Sequence, residues 1–289
     1  MFLNIFSPVE QLKRPSLHQV LVKRDDLIDP YISGNKWRKL KYILKEAGRQ
    51  NKNHIVTFGG AYSNHLVATA AACSRSGLKS TSFVRGESLT NEMLMLCRLF
   101  GMELIFVDRE SYKDKKSLYE QHFQKDLNTY FVDEGGACME AVMGCAEIIS
   151  ELPQDVKHIF CAAGTGTTAA GLLKGIYDAG LTTQLHVIPV LKGGSFLKEE
   201  INKYVPVRTQ LTLHMDYHFG GYAKTTPELI KFIRSFTAEE GILIDHVYTA
   251  KMFYALEDLL SKGYFQPEEK IIALHTGGLL GLMGIKEKI

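Results

Sequence analysis

A lysine at the start of a helix, on that helix's apolar side, is the first residue of this chain that could do chemistry. In "SGNKWRKLKYILKEAG" (33–48), turning about 100° per residue puts Lys36 on one arc with Leu40, Ile43 and Ala47. Leu44 and Trp37 extend that arc, while Arg38, Lys41, Lys45 and Arg49 are expected to project into solvent. Lys36 is then the one basic residue here that points inward. Two readings are open. The side chain snorkels out of a first helical turn, or it is a desolvated amine of depressed pKa, the state a Schiff base requires. The second reading needs an aldehyde cofactor, so the rest of the chain must offer a place for one.

Three strand-like runs lead directly into glycine-bearing turns, and ligands of open α/β sheets bind beyond the carboxyl ends of strands. "FCAAGTGTTAAGLLKG" (160–175) reads as strand, Gly/Thr turn, helix. The free N–H groups and dipole of such a helix start make a phosphate cradle. Gly164-x-Gly166-x-x-Ala169 also satisfies a dinucleotide fingerprint, but that motif expects an acid after the next strand. Here "LHVIPV" is followed by "LKGG", and no GK[ST] follows the turn, so a single small phosphate fits better than NAD or ATP. A tight turn with hydroxyl caps and no ligand is the other reading. "TFGGAYSNHLVATAAA" (57–72) sets Ser63 and Asn64, both good cap types, at the start of an Ala-rich helix. The preceding Gly59-Gly60 would let a ligand approach the backbone. "IIALHTGGLLGLMG" (271–284) places Thr276 before Gly277-Gly278, where a hydroxyl can bond a cofactor ring atom.

Other chemistries find less support. His214 and His218 are four apart, but "LTLHMDYHFGG" alternates like a strand and shows no third metal ligand, so no metal is expected. No GxSxG appears. The five cysteines, Cys73, Cys97, Cys138, Cys145 and Cys161, are odd in number and lack CxxC, which fits reduced, mostly buried thiols.

The elements that must position these residues alternate. "HIVTF", "STSFV", "ELIFV", "TYFV", "KHIFCAA", "LHVIPV" and "KIIALH" read as strands, separated by helical patterns such as "SNHLVATAAACSRSG", "TNEMLMLCRLFG", "CMEAVMGCAEIISEL" and "GLLKGIYDAG". That rhythm predicts an α/β protein with mostly parallel sheets. Seven strands suit two open twisted sheets, hence two α/β lobes with a cleft between them. "DRESYKDKKS" (108–117) and "FQPEEK" (265–270) are expected to be surface loops. With 289 residues, 45% of them hydrophobic, one large domain or two modest ones can form. A net charge of +2 without a basic cluster argues against nucleic acid. No apolar run approaches the roughly 18–20 residues of a membrane span, and the amino-terminal stretch lacks a signal-peptide pattern. A cytoplasmic location is therefore expected.

"VKRDDL", "SGNKWRKLKY", "TFGGAYSNH", "EGG" (134–136), "GTGTTAAG", "HFGGYAK", "DHVYTAK" and "HTGG" then coincide, in order and spacing, with one known family. They resemble the pyridoxal-phosphate enzymes that include D-cysteine desulfhydrase and 1-aminocyclopropane-1-carboxylate (ACC) deaminase, of the tryptophan synthase β-subunit fold, or fold type II. The likeness runs from about residue 21 to 282. It implies pyridoxal 5'-phosphate in a Schiff base with Lys36, Asn64 beside the cofactor's 3'-oxygen, and Ser63 next to the substrate carboxylate and Cα. It also implies that Gly164, Thr165, Gly166, Thr167 and Thr168 hold the phosphate, that Tyr222 and Tyr248 are active-site tyrosines, and that Thr249 and Thr276 flank the pyridine ring. One departure stands out. The phosphate loop usually carries two adjacent glycines, and the second is Thr167 here. A threonine at positive φ would be strained, so the turn differs or the phosphate is held less tightly. The resemblance further implies a large cofactor domain (residues 1–46 plus 152–289), a smaller inserted α/β domain (47–151) and a homodimer.

The implied reaction is α,β-elimination of D-cysteine or a related D-amino acid to pyruvate, ammonia and sulfide, with Lys36 as the leading Cα base and Ser63 and Tyr248 as positioners or proton carriers. ACC deamination to 2-oxobutanoate is the nearest alternative. A racemase or β-replacement synthase of the same fold, and a non-catalytic amino-acid-binding protein, are the others. Deaminases of this family resemble one another in carrying Tyr-Glu-Gly-Lys where this chain has Tyr248-Thr249-Ala250-Lys251, and leucine where it has Thr276.

Overall fold

The computed structural model describes residues 5–289, so the first four residues of the amino-terminal stretch, which also open the expected cofactor domain, lie outside it. In chain order its strands are β1 (Val9–Gln11), β2 (Val20–Lys23), β3 (His54–Gly60), β4 (Lys79–Arg85), β5 (Glu103–Val107), β6 (Thr129–Val132), β7 (His158–Ala163), β8 (Gln184–Pro189), β9 (Leu211–Leu213) and β10 (Ile271–Leu274). The α-helices are α1 (Asn35–Arg49), α2 (Asn64–Arg75), α3 (Glu92–Leu99), α4 (Lys115–Phe123), α5 (Met139–Ala146), α6 (Thr167–Asp178), α7 (Leu197–Asn202), α8 (Pro227–Glu240) and α9 (Thr249–Ser261).

Two sheets result, one ordered β1-β2-β10-β7-β8-β9 and the other β5-β4-β3-β6. Only the β1–β2 pairing is antiparallel. All seven expected strands form from β-branched and aromatic runs, and the inner ones, β3, β4, β7, β8 and β10, are buried on both faces as parallel strands require. The sequence pattern missed β1 and β2, which are too short to show a period. Tertiary pairing defines them: Ile271 of β10 lies opposite Val20 of β2 on one side and His158 of β7 on the other. The stretch expected as a loop at 108–117 instead contains a 3-10 turn at Ser111–Lys113 and the start of α4. Asp114 supplies the missing signal, since its carboxylate accepts from the Ser117 N–H at 3.0 Å as an N-cap.

The largest difference from expectation concerns α1. Arg38, expected in solvent, is fully buried, and Lys39 joins Lys36 on the inside. A helical wheel assumes one buried face, whereas α1 has two. On one side it shares a core with α2 and β3 through Leu40, Ile43, Ala68 and Ile55. On the other it meets α5 so closely that a Cβ on Gly144 would lie 2.0 Å from the Arg38 carbonyl oxygen. Arg38 is tolerated there by pairing with Asp25 at 2.8 Å and with Glu151, which also takes Lys23 at 2.7 Å. Burial opposes the Arg38 charge, but its bonds to Glu151 and Asp25 outweigh that and hold it firmly protonated.

Glycines continue this stack into α6. A Cβ on Gly171 would meet the Cys145 Cβ at 2.3 Å, and one on Gly175 the Ala146 carbonyl oxygen at 2.6 Å. The helix that begins with the candidate lysine, α1, is thus fixed through α5 to α6, the helix that begins at the candidate phosphate turn.

Candidate active site

Lys36 is held at the start of α1 by a glycine with two reasons to be one. Gly34 has φ +58°, and a Cβ there would lie 1.9 Å from the Thr276 carbonyl oxygen. That carbonyl also accepts from the Asn35 N–H at 3.3 Å, so the carboxyl end of β10 is docked onto the first turn of α1. The Lys36 Nζ donates to Asn35 Oδ1 at 3.2 Å, and Asn35 Nδ2 donates to Thr168 Oγ1 at 2.9 Å. This relay links the amine to the phosphate turn, and Asn35 escaped the sequence reading although it sits beside the lysine. Lys36 is partly exposed as a residue, yet its amine lies deep enough that burial, with Lys39 adding repulsion, lowers its pKa to about 7. A neutral amine is accessible there near neutral pH, which favours the desolvated reading over a snorkelling lysine.

The phosphate turn follows β7. Gly166 takes the left-handed conformation at φ +80°, ψ −15°, as the N-cap of α6, and no side chain caps the helix. The first N–H groups of a helix have no partner inside it, so the start of α6 presents donors together with the positive end of its dipole. Thr167 is the first residue of α6, buried, and is not among the residues of positive φ. The strain expected of a threonine replacing the second glycine does not arise, because Gly166 alone makes the left-handed turn. Thr165 and Thr167 bring their hydroxyls within 3.2 Å, and a Cβ on Gly135, in the "EGG" turn, would touch the Thr165 methyl at 3.4 Å. Lys39 pins the same turn by donating to the Gly135 carbonyl at 2.9 Å.

A second helix start opposes the first. Ser63 is the N-cap of α2, but its hydroxyl makes no capping bond. The residue type is right for a cap and its oxygen is not used as one. The spacing "GGAYSN" has an internal cause as well: a Cβ on Gly59 would meet Leu66 at 2.8 Å and the Ser63 hydroxyl at 3.0 Å. Asn64 faces the turn after β10, with its Nδ2 2.9 Å from where a Gly278 Cβ would be. The next residue, His65, is buried. Its Nε2 lies 2.8 Å from the Thr57 hydroxyl, whose proton goes to the Val132 carbonyl, and its Nδ1 has no partner among the described residues. Burial, then Lys36 and Lys39, keep that imidazole neutral.

Tyr248 precedes α9, and a Cβ on Gly164 would lie 3.3 Å from its hydroxyl, so it abuts the phosphate turn. Burial first, then Tyr222, pushes its pKa well above the usual phenol value, so it stays a neutral donor. Tyr222 packs edge-on at a centroid distance of 6.2 Å and is about half exposed. Thr249 is tied to a carboxylate. Its hydroxyl donates to Asp245 Oδ1 and accepts the Asp245 N–H, both at 2.8 Å, so its one proton is engaged. Asp245, missed in the sequence, also accepts from the N–H groups of Val247, Tyr248 and Thr249 and thereby caps α9. An Asp that bonds the backbone two residues on, here at Val247, was the available signal.

The remaining candidates fall elsewhere. His214 bonds His186 at 2.9 Å rather than His218, and among the described residues no group of three His, Cys, Asp or Glu could hold a metal. Burial pushes Cys73, Cys97, Cys138 and Cys161 up to about 12, which makes them poor nucleophiles. A groove of about 670 Å³ along α8, lined by Thr225, Lys231, Arg234 and Lys288 among others, touches none of these residues. No helix among the described residues is long and apolar enough to cross a membrane.

Lys36, the uncapped start of α6, the free N-cap hydroxyl of α2 and the neutral Tyr248 thus lie around the carboxyl ends of β3, β7 and β10. An amine of lowered pKa beside an anion cradle fits an aldehyde that carries a phosphate. The chain matches the family described as "Pyridoxal-phosphate dependent enzyme" over residues 3–277. It is 32% identical to a "Putative 1-aminocyclopropane-1-carboxylate deaminase" of Pyrococcus abyssi, over 98% of this chain and 92% of that one. It is 28% identical to a bifunctional D-cysteine desulfhydrase/1-aminocyclopropane-1-carboxylate deaminase of Arabidopsis thaliana, over 96% of this chain and 77% of that one. A solved structure described as an ACC deaminase homologue superposes with a TM-score of 0.89 at 30% identity, covering 100% of this chain and 94% of that one.

Proposed function

Because the chain belongs to the pyridoxal-phosphate dependent enzymes and takes the fold of their type II members, we propose that it converts D-cysteine or a related D-amino acid, with water, to pyruvate, ammonia and hydrogen sulfide. In this reading residues 1–46 plus 152–289 form the cofactor domain and 47–151 the inserted one. The latter is supported by a second sheet drawn wholly from β3 to β6. A homodimer in the cytoplasm completes the proposal.

Bound pyridoxal phosphate supplies the electron sink that makes an amino acid's Cα–H acidic. Lys36 would hold the cofactor, and its free amine is the base for the substrate's Cα proton; its lowered pKa keeps it competent near neutrality. The start of α6, residues 164–168, receives the phosphate. Ser63 and the start of α2 receive the substrate carboxylate, an anion at a helix N-terminus. Asn64 would bond the cofactor's 3'-oxygen, and Thr276 would lie at the pyridine ring. Tyr248, kept protonated by burial, donates to the leaving sulfur, with Tyr222 packed against it.

The observation that carries the choice of substrate is the start of α9. Thr249, where the deaminases of this family carry glutamate, has its hydroxyl engaged with Asp245 and adds no negative charge toward the ring. A neutral threonine holds no pyridine nitrogen protonated. Thiolate, whose conjugate acid has a pKa of about 8.5, leaves without so strong a sink, whereas opening the ACC ring has no leaving group and needs one. ACC deamination is the second reading, favoured by the name of the archaeal relative. The test is kcat/KM for D-cysteine and for ACC, measured as pyruvate with sulfide and as 2-oxobutanoate. D-cysteine is expected to be preferred. Efficient 2-oxobutanoate release with little sulfide would overturn the assignment.

A further inference from the structure

Lys251 is fully buried and forms no ion pair among the described residues. Its Nζ instead donates to three backbone carbonyls, of Gly221 at 2.8 Å, His218 at 2.9 Å and Val190 at 3.3 Å. An ammonium has three N–H donors and no acceptor, so every donor is matched. Burial lowers its pKa to about 8, with Asp245 opposing, which leaves it charged at neutral pH.

The carbonyls belong to a backbone that needs such an anchor. Phe219, Gly220, Gly221 and Ala223 have φ of +50°, +90°, +120° and +55°, and two of these four are not glycine. L-residues rarely adopt that conformation, and it persists only where surrounding contacts enforce it. Tyr222 sits inside this run. Lys251 lies in the first turn of α9, three residues after Tyr248, which immediately precedes that helix. A second contact joins loop to helix, where Phe219 packs edge-on against Tyr254 of α9 at 4.9 Å.

We propose that Lys251 is a positioning residue, an internal cation whose three carbonyl bonds hold the left-handed loop carrying Tyr222 against the start of α9, next to Tyr248. The role rests on the reading of the two tyrosines as active-site groups. A lysine that only filled space would contribute to stability without being coupled to Tyr222.

The test uses the holoenzyme and whichever of D-cysteine or ACC the unmodified protein turns over. Lys251→Met is expected to keep the cofactor absorbance and to lower kcat by roughly ten- to a hundredfold, the cost of a small misplacement, with KM changed by less than about threefold. Tyr222→Phe should lower kcat as well, and the double variant should fall no further than the lower single one, because both changes remove one function. Fully additive losses would overturn the proposal. In Lys251→Ala, ammonium or methylammonium chloride should restore part of kcat, while sodium chloride at equal ionic strength should not; equal responses to the three salts would also overturn it. Should neither variant fold, hydrogen exchange of the unmodified holoenzyme decides. Amides 219–224 should be as protected as the first turn of α9, and exchange at the rate of an unstructured chain refutes the anchor. That exchange measurement is independent of turnover, so failure of the substrate assignment would not be mistaken for failure of this one.

Discussion

At the scale of the residue, the proposed mechanism places the chemistry on the amine of Lys36, and its environment sets when that amine is usable. Burial and the neighbouring Lys39 bring its pKa from 10.5 to about 7. The nucleophile is the neutral amine, so cofactor uptake by the apoenzyme should accelerate as pH rises through about 7 and then level off. A rate that keeps climbing toward pH 10.5 would contradict the burial argument. The same shift acts on stability with a definite sign. The folded pKa lies below the unfolded one, so the unfolded chain binds more protons between about pH 7 and 10.5, and the penalty of the buried cation is greatest below that window. Lys36→Met should therefore raise the urea midpoint of the apoprotein at neutral pH while abolishing product formation. Borohydride reduction of the holoenzyme should place the cofactor on Lys36 in a peptide map, and an adduct on another lysine would remove the basis of the mechanism. The inward placement of Lys36 was legible in the sequence because a lysine on an apolar arc is a local signal; its cofactor role was implied only by the family resemblance. Its relay through Asn35 to Thr168 was not, because the two residues are 133 positions apart.

At the scale of elements, the site depends on the stack α1–α5–α6. Gly144 and Gly171 allow backbones to touch where a Cβ would lie 2.0 Å and 2.3 Å from its nearest atoms. Gly144→Ala should cost roughly 1–3 kcal/mol through overpacking. It should also weaken cofactor affinity, because it shifts the lysine helix relative to the phosphate turn. Gly48→Ala, in α1 with nothing within 4 Å of a new Cβ, is the control. It should gain about 0.4–1 kcal/mol with cofactor affinity unchanged. Chemical denaturation and cofactor titration read both. Loss of affinity in the two variants alike would show that helix propensity, and not interhelical spacing, governs the site. The helices themselves were visible in the sequence, and the role of their glycines was not. An isolated glycine in a helical pattern looks the same whether it faces water, as Gly48 does, or another backbone, as Gly144 does.

At the scale of the whole molecule, the larger sheet carries a ladder of imidazoles: His158 to His186 at 3.0 Å and His186 to His214 at 2.9 Å, with His186 stacked on Phe160 at a centroid distance of 4.6 Å. Burial lowers all three pKa values, that of His186 to about 3, with His214 and His158 adding repulsion. Groups held neutral in the fold but protonated in the unfolded chain give stability that is complete above about pH 6.5 and is lost as pH falls. The urea midpoint should therefore drop between about pH 7.5 and about pH 5.5, above the range where carboxylates titrate; a flat midpoint across that interval would show that the ladder opens to solvent. The sequence by itself determined the features that arise within short stretches. Strand and helix runs follow from side-chain period, and the glycine turns from the backbone conformations only glycine adopts easily. The order of motifs set the family. Tertiary structure decided what depends on distant partners. It buried Arg38 against Asp25 and Glu151, engaged the Thr249 hydroxyl with a carboxylate that caps α9, relieved Thr167 by turning the chain at Gly166, and closed Lys251 onto three carbonyls. Burial on a second face and the pairing of a buried polar group are set by whichever segment packs there, and no local period encodes that segment.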